Sequence, residues 1–285
     1  MKASGVQGRG PARRAKRRRL RWWPGAATRR TWLRRWRRTP AAARLLTVLF
    51  VAAALALLVN GLYQVLRKPT ELFFPVSGEL AKLPAQTWHD YAALFRRYAT
   101  ANVSAELLAA LAQVEASGNP LVRTYWRWSW ATRPFDVYRP ASSAVGMFQI
   151  TDGTFAEARH YCIHEHALAR EGPWNDFHSC WFNSLYVRVL PADAVQLTAA
   201  YLDLKVTSIV AHAGGNVSAL HRQHLAAVVH LCGAGAAALY AQHGFRFADG
   251  QRCGDHDPRE YLKRVEAMQA LFMRLAAQEQ ADKPQ

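Results

Sequence analysis

The sequence predicts a mainly α-helical globular domain that follows an N-terminal transmembrane helix. Two observations lead to this prediction: an uncharged apolar stretch near the N-terminus, and Leu, Ala and Val at helical spacing through most of the chain after it. Hydrophobic residues make up 51% of the 285 residues, which is enough for a packed core in one or two domains.

Most of the net charge of +17 belongs to a basic N-terminal tail. Residues 1–44 hold 16 of the 37 Lys and Arg residues and no Asp or Glu, which leaves 21 basic against 20 acidic residues in the rest of the chain. Trp32, Leu33 and Trp36 alternate with arginines there, which favours either an interfacial helix on anionic lipid or a solvated basic run. A nucleic-acid partner is not predicted, because a basic run alone is unspecific.

Residues 45–66 form the predicted transmembrane helix, because they are apolar and carry no charge. At 1.5 Å per residue they span roughly 33 Å, about the thickness of the hydrocarbon core. The basic residues before the span predict a cytoplasmic N-terminus and an exported C-terminal part. An uncleaved signal peptide and a buried core helix are the alternatives.

Residues 67–88 are predicted to be a linker that holds the globular domain, residues 89–285, away from the membrane. Pro69, Pro75 and Pro84 favour irregular structure in this segment.

Helix signals recur in the globular domain. Ser104 is a predicted N-cap, followed by apolar residues at helical spacing. Asp257 and Pro258 predict the start of a C-terminal helix, because Asp caps helix N-termini and Pro is favoured at the first helical position. Residues 193–211 and 217–243 are rich in Ala, Leu and Val and are also predicted to be helical.

A short hairpin is predicted somewhere in residues 121–150, since TYWRWSW (124–130) has strand-favouring residues. An aromatic cluster occupies residues 123–140. Aromatic faces stack on sugars, so part of the cluster is a candidate wall for a glycan cleft and the rest is a candidate for the core. Its members are Tyr125, Trp126, Trp128, Trp130, Phe135 and Tyr138.

The four cysteines all follow the apolar span, which predicts two disulfides in an oxidising compartment. Of three possible pairings, the simplest joins Cys162 to Cys180 and Cys232 to Cys253. Each bond would close a loop of about 20 residues and contribute about 3 kcal/mol. Three histidines lie in residues 161–180, but the spacing matches no standard zinc finger, so no metal is predicted.

Glu115 lies at the end of the apolar run LLAALAQVEASGNPL, residues 107–121. Its spacing from Leu108 and Leu111 places the acid on the apolar face of a helix. Burial and the negative end of the helix dipole would both raise its pKa, which favours a general acid. An ordinary solvated glutamate is the alternative.

Four motifs in order resemble the lytic transglycosylases of the soluble, goose-type-lysozyme-like family. VEASGNP (114–120) resembles the family's E-S-x-x-N-P motif, whose Glu is the catalytic acid. SAVGMFQIT (143–151) and HLCGAG (230–235) take the places of the second and third motifs, and REYLKRV (259–265) resembles the closing one. The resemblance covers roughly residues 89–275 and implies a lysozyme-like fold.

The resemblance also implies roles for individual residues. Glu115 would be catalytic, first as general acid and then as base. The implied substrate-binding residues are Gly146, Met147, Phe148, Gln149, His230 and Tyr261.

The sequence departs from the family pattern close to the acid. Ala116 replaces a Ser, and His230-Leu231 replaces a Tyr-Asn pair. A histidine there could hydrogen-bond Glu115, but its protonated form would lower the pKa of the acid. Leu231 offers no polar contact to a sugar.

Most glycosidases use two carboxylates, whereas Asp136, Asp152 and Glu157 are near Glu115 in sequence only and lie outside the motifs. The resemblance therefore implies a lytic transglycosylase that cleaves the MurNAc–GlcNAc bond of peptidoglycan with one Glu, without a cofactor. The protein would be a single-pass inner-membrane protein with its catalytic domain in the periplasm, with an envelope-spanning machine as a possible partner. A hydrolytic muramidase and a catalytically weak peptidoglycan-binding scaffold are the alternatives.

Overall fold

The computed structural model is mainly helical, as predicted. It describes residues 26–73, 77–129, 135–173, 175–213 and 216–282, which include eight α-helices and two short antiparallel hairpins. Predictions for tail residues 1–25, for Pro75 and for Trp130 lie outside the described residues. The chain divides into two compact units, residues 1–57 and 58–285.

The N-terminal unit contains α1 (Ala26–Arg38) and the first part of α2 (Ala41–Arg67). In α1 the rings of Trp32 and Trp36 stack one helical turn apart, with centroids separated by 5.8 Å. Helix α2 includes the predicted transmembrane segment and is long and apolar enough to cross a membrane. Its apolar side chains are almost all exposed, as expected of a helix whose surroundings are not water.

A second helix also has the length and composition of a membrane span, namely α7 (Ala219–Gln242). Its environment differs, because Leu225, Val228 and Val229 are buried and the helix packs on α6 (Pro191–Ala213). Burial of this kind is typical of a core helix in a folded domain.

The core of the larger unit surrounds α4 (Ala105–Ala116), which packs against α3 (Pro84–Tyr98), α6 and α8 (Pro258–Ala281). The residues from Leu107 to Ala112 are all almost fully buried. The sequence predicted one apolar face, whereas neighbouring helices cover α4 on every side. Alanine allows this, because it adds little bulk between closely packed helices.

The predicted helix starts at Ser104 and Asp257 are confirmed. The Ser104 side chain accepts a hydrogen bond from the backbone N–H of Leu107 (3.1 Å). The Asp257 side chain accepts from the backbone N–H of Arg259 (2.8 Å), and Pro258 is the first helical residue. These caps satisfy N–H groups that have no partner inside the helix.

The predicted hairpin is present and is the first of two, with β1 (Trp126–Trp128) paired to β2 (Tyr138–Pro140). A second hairpin, β3 (Tyr161–His164) with β4 (Ala167–Arg170), was not predicted, and neither was the short helix α5 (Asp152–Ala158). The turn between β3 and β4 has positive φ at two non-glycine residues, Glu165 and His166. It lacks the Asn-Gly or Asp-Gly pair that usually indicates a tight hairpin.

The predicted linker, residues 67–88, is more ordered than an extended spacer. Pro69–Phe73 and Ser77–Leu80 form 3-10 turns, and α3 starts within the segment. An ion pair holds this segment to the folded domain, because the buried carboxylate of Glu71 lies 3.0 Å from the guanidinium of Arg123.

The structure joins Cys162 to Cys180 and Cys232 to Cys253, which is the predicted pairing. The paired Cα atoms are 5.7 Å and 5.2 Å apart, within the usual range for a disulfide. His164 lies close to the first pair. Cysteine binds a metal as a thiolate, however, and both of these sulfurs are joined in the disulfide.

We predict that Leu111→Ala lowers the free energy of unfolding by about 2–5 kcal/mol, because it leaves a cavity in a helix packed on all sides. The control Leu220→Ala, on the exposed first turn of α7, should change it by no more than about 0.5 kcal/mol. Denaturant unfolding of the full chain in detergent measures both values. Equal unfolding midpoints for the two variants would contradict the central position of α4.

Candidate active site

Glu115 lies in the last turn of α4, where the helix leaves the core. The chain ends the helix in a left-handed turn at Ser117 (φ 51°) and Gly118 (φ 65°). A Cβ at Gly118 would lie 2.2 Å from the Thr87 hydroxyl, so this turn requires glycine. The Glu115 side chain is 19% exposed, which makes it a mostly buried acid that still reaches the surface.

Tyr261 holds this carboxylate. Its hydroxyl donates a 2.5 Å hydrogen bond to Oε1 of Glu115 from the first turn of α8. Burial, together with the negative charge of Glu115, raises the pKa of Tyr261 well above its usual value, so the hydroxyl stays protonated and can donate. The resemblance implied a substrate contact for Tyr261, but the residue is buried, so it positions the acid instead.

His230 approaches the same carboxylate oxygen from α7. Its Nε2 atom is 3.5 Å from Oε1 of Glu115, and its side chain is mostly buried. This is the contact that the sequence suggested for a histidine in the third motif. Leu231, next to it, packs against the hydrophobic core.

The disulfide between Cys232 and Cys253 lies close in sequence to His230 and to a second histidine, His256. Backbone hydrogen bonds of 2.9 Å and 3.1 Å close a tight turn between Cys253 and His256. His256 is near enough for its charge to lower the pKa of Glu115. The sequence analysis missed His256, although its position just before the N-cap Asp257 could have indicated it.

Opposing effects set the pKa of Glu115. Burial raises it, whereas the hydrogen bond and charge of His230, the hydrogen bond from Tyr261 and the charge of His256 lower it. The lowering effects prevail, so the pKa of Glu115 lies below its usual value. The sequence predicted the opposite direction, because the effect of burial could be anticipated and the combined effect of three partners could not.

No carboxylate is among the described groups that shift the pKa of Glu115. The nearby acids in the sequence have other partners. Asp136 accepts a hydrogen bond from Gln64, Asp152 pairs with Arg188, and Glu157 pairs with Lys205.

The second motif contributes mainly to packing. Gly146 has φ 78°, and a Cβ there would lie 2.3 Å from the carbonyl oxygen of Arg188, so glycine serves the fold at this point. Met147 and Phe148 are fully buried in the core. The substrate contact implied for these two residues is therefore absent from this conformation, since no part of either side chain is exposed.

Gln149 is the polar side chain of this motif. It has φ 47°, and its amide nitrogen donates to the carbonyl oxygen of Gly146 (2.9 Å). Within the described part of the chain its amide oxygen has no hydrogen-bond donor, which leaves it available to a hydroxyl or amide of a ligand. Gln149 makes no hydrogen bond to Glu115.

Two sequence comparisons bear on the identity of the chain. No family model matches the chain, and no curated protein matches it in sequence. Interpretation of the site therefore depends on its geometry and on the four motifs.

We predict that His230→Gln and Tyr261→Phe each raise the pKa of Glu115, because each removes a group that stabilises the carboxylate. The rise should be larger in His230→Gln, which removes both a charge and a hydrogen bond. Carboxyl-carbon NMR of glutamate-labelled full chain in detergent measures the pKa, with Glu115→Gln to assign the signal. His224→Gln is the control, because His224 is on the same helix but pairs with Glu266. A lower or unchanged pKa in His230→Gln would refute this electrostatic account.

The two disulfides should differ in their effect on the site. Replacing either pair with serine should cost about 3 kcal/mol of stability, because the closed loops have similar length. Only the double variant without the second disulfide, Cys232→Ser and Cys253→Ser, should also raise the pKa of Glu115. Loss of that disulfide loosens the segments that carry His230 and His256. The same NMR titration, run beside thermal unfolding, compares the pairs. Equal pKa values in both double variants would mean that the disulfide does not organise the site.

Proposed function

We propose that this chain is a peptidoglycan lytic transglycosylase with a lysozyme-like catalytic domain and a single catalytic acid, Glu115. The observation that carries the proposal is the carboxylate at the end of a helix whose middle is fully buried, held by the Tyr261 hydroxyl and without a second carboxylate among its described partners. The four motifs in order support the same function.

The proposed reaction uses Glu115 twice. In its protonated form it donates a proton to the glycosidic oxygen, the bond from MurNAc C1 to that oxygen breaks, and GlcNAc leaves with a free 4-hydroxyl. The Glu115 carboxylate then accepts the proton of the MurNAc 6-hydroxyl while that oxygen bonds to C1. The product is a 1,6-anhydro sugar, Glu115 is again protonated, and no water is consumed.

The partners of Glu115 favour an acidic pH optimum. A general acid works only in its protonated form, and the lowered pKa of Glu115 makes that form scarce at neutral pH. The rate of the first step should therefore rise as the pH falls toward the pKa. Tyr261 supports both steps, because its hydroxyl holds the carboxylate oxygen in place while the proton leaves and returns.

A catalytically weak peptidoglycan-binding scaffold is the second candidate. It is favoured by the lowered pKa of Glu115 and by Leu231, which packs into the core where the family has an asparagine.

We place the protein in the inner membrane by one span, residues 45–66. The 16 basic residues before the span favour a cytoplasmic N-terminus, and the two disulfides favour a periplasmic domain. Peptidoglycan glycan strands would be the substrate, and an envelope-spanning machine is a partner consistent with this location.

Mass spectrometry of digested sacculi tests the proposal. Wild-type protein should release muropeptides with 1,6-anhydro ends, and Glu115→Gln should lower the rate by about 10²–10⁴-fold, because it cannot exchange a proton. Glu106→Gln, in the first turn of the same helix, is the matched control and should keep the rate.

Each other result assigns a different function. Products with reducing ends would identify a hydrolytic muramidase, and binding to sacculi without release would identify a scaffold. An unchanged rate in Glu115→Gln would remove this residue from the mechanism.

A further inference from the structure

The first hairpin, described over residues 125–129 and 135–140, lies against the C-terminal end of α2. The Asn60 side chain donates to the carbonyl oxygen of Tyr138 (2.6 Å), and the Gln64 side chain donates to that of Phe135 (2.7 Å). Both amide side chains are buried. The hairpin therefore accepts a hydrogen bond from each of the two amide side chains on this mostly apolar part of the helix.

The position of these contacts along α2 is informative, given the membrane span proposed above. At 1.5 Å per residue, Asn60 lies about 23 Å and Gln64 about 29 Å from Leu45 along the helix. A hydrocarbon core is about 30 Å thick, so Gln64 would lie at its outer boundary and Asn60 about 7 Å inside it. The hairpin would then meet the helix from the level of the lipid headgroups to the outer part of the hydrocarbon.

The hairpin carries side chains of the types that are common at the membrane–water interface. The rings of Trp126 and Trp128 both pack against the Tyr138 ring, with centroids 5.2 Å and 4.8 Å from it. Trp128 is 63% exposed, and Phe135 packs on Tyr63 of α2 at 5.3 Å. Tryptophan and tyrosine are enriched where membranes meet water, because their rings are apolar at one end and polar at the other.

One arginine borders this surface. Arg67 lies over the Tyr63 ring at 5.7 Å and keeps much of its side chain exposed, although it also approaches Asp136 at 3.7 Å. Arginine beside aromatic rings suits the phosphate of a phospholipid, which accepts its N–H donors. Leu62 and Leu66 are also exposed on the same end of α2.

We infer that this hairpin is a membrane-interface collar that binds the phospholipid headgroups around α2. Lipid fits better than a glycan strand, because the aromatic surface adjoins the apolar helix that the membrane itself must cover. The aromatic cluster that suggested a glycan-cleft wall from the sequence thus belongs to the anchor.

The segment after α2 fixes the collar to the folded domain. The Trp126 indole N–H donates to the buried Glu71 carboxylate (2.7 Å), which also pairs with Lys68 (3.2 Å). Lys68 donates to the carbonyl oxygen of Ala144 (2.9 Å). These contacts hold the domain close to the end of α2, whereas a flexible linker would let it drift away from the membrane.

Site-specific photo-crosslinking tests the collar. The full chain carrying Trp128→p-benzoylphenylalanine is reconstituted in vesicles of phosphatidylethanolamine and phosphatidylglycerol, with soluble peptidoglycan glycan fragments in the medium. Irradiation should yield phospholipid adducts at this position. Phe50, exposed within the span, is the positive control, and Trp181, on a different part of the domain, is the negative control; each receives the same substitution.

Four results would overturn the inference. Lipid adducts at Phe50 without any at Trp128, or glycan adducts at Trp128, would mean that the hairpin does not face lipid. Equal lipid adducts at Trp128 and Trp181 would mean that contact is unspecific. An absence of lipid adducts at Phe50 would overturn the span itself and the collar with it. Because no catalysis is needed for labelling, the collar and the transglycosylase proposal can fail separately.

Discussion

The burial of the middle of α4 is the constraint on which the larger unit depends. The residues from Leu107 to Ala112 are all apolar and enclosed, so this part of the helix has no face for a charged residue. A carboxylate becomes tolerable only near the end of the helix, where Glu115 can reach solvent and find polar partners. The left-handed turn at Gly118 then takes the chain away and leaves that carboxylate at the edge of the core.

The partners of Glu115 come from parts of the chain more than a hundred residues away. Tyr261 is set by the cap of α8, and His230 and His256 lie on either side of the disulfide between Cys232 and Cys253 in sequence. Burial alone would raise the pKa of the acid, and these partners more than cancel that effect. The site is therefore a balance between desolvation and nearby charge, and it favours the ionised carboxylate.

A second part of the larger unit is organised by the polar residues of α2. Asn60 and Gln64 would be costly in contact with lipid, and the amide nitrogen of each donates a hydrogen bond to the first hairpin. Burial of Glu71 beside the same hairpin turns a proline-containing segment, read from sequence as a spacer, into an ordered connection. One set of contacts thus accounts for the order of the segment and for the place of the aromatic cluster.

Local signals in the sequence were sufficient for the helical class, the apolar α2, the capped starts at Ser104 and Asp257, and the disulfide pairing, because each depends on residues close together or on simple pairing. Tertiary structure alone decided what surrounds each side chain. It buried Met147 and Phe148, turned Tyr261 toward Glu115, added His256, and reversed the direction of the Glu115 pKa shift. The reason is physical: burial and electrostatic interaction depend on distances between segments, and a linear pattern does not contain those distances.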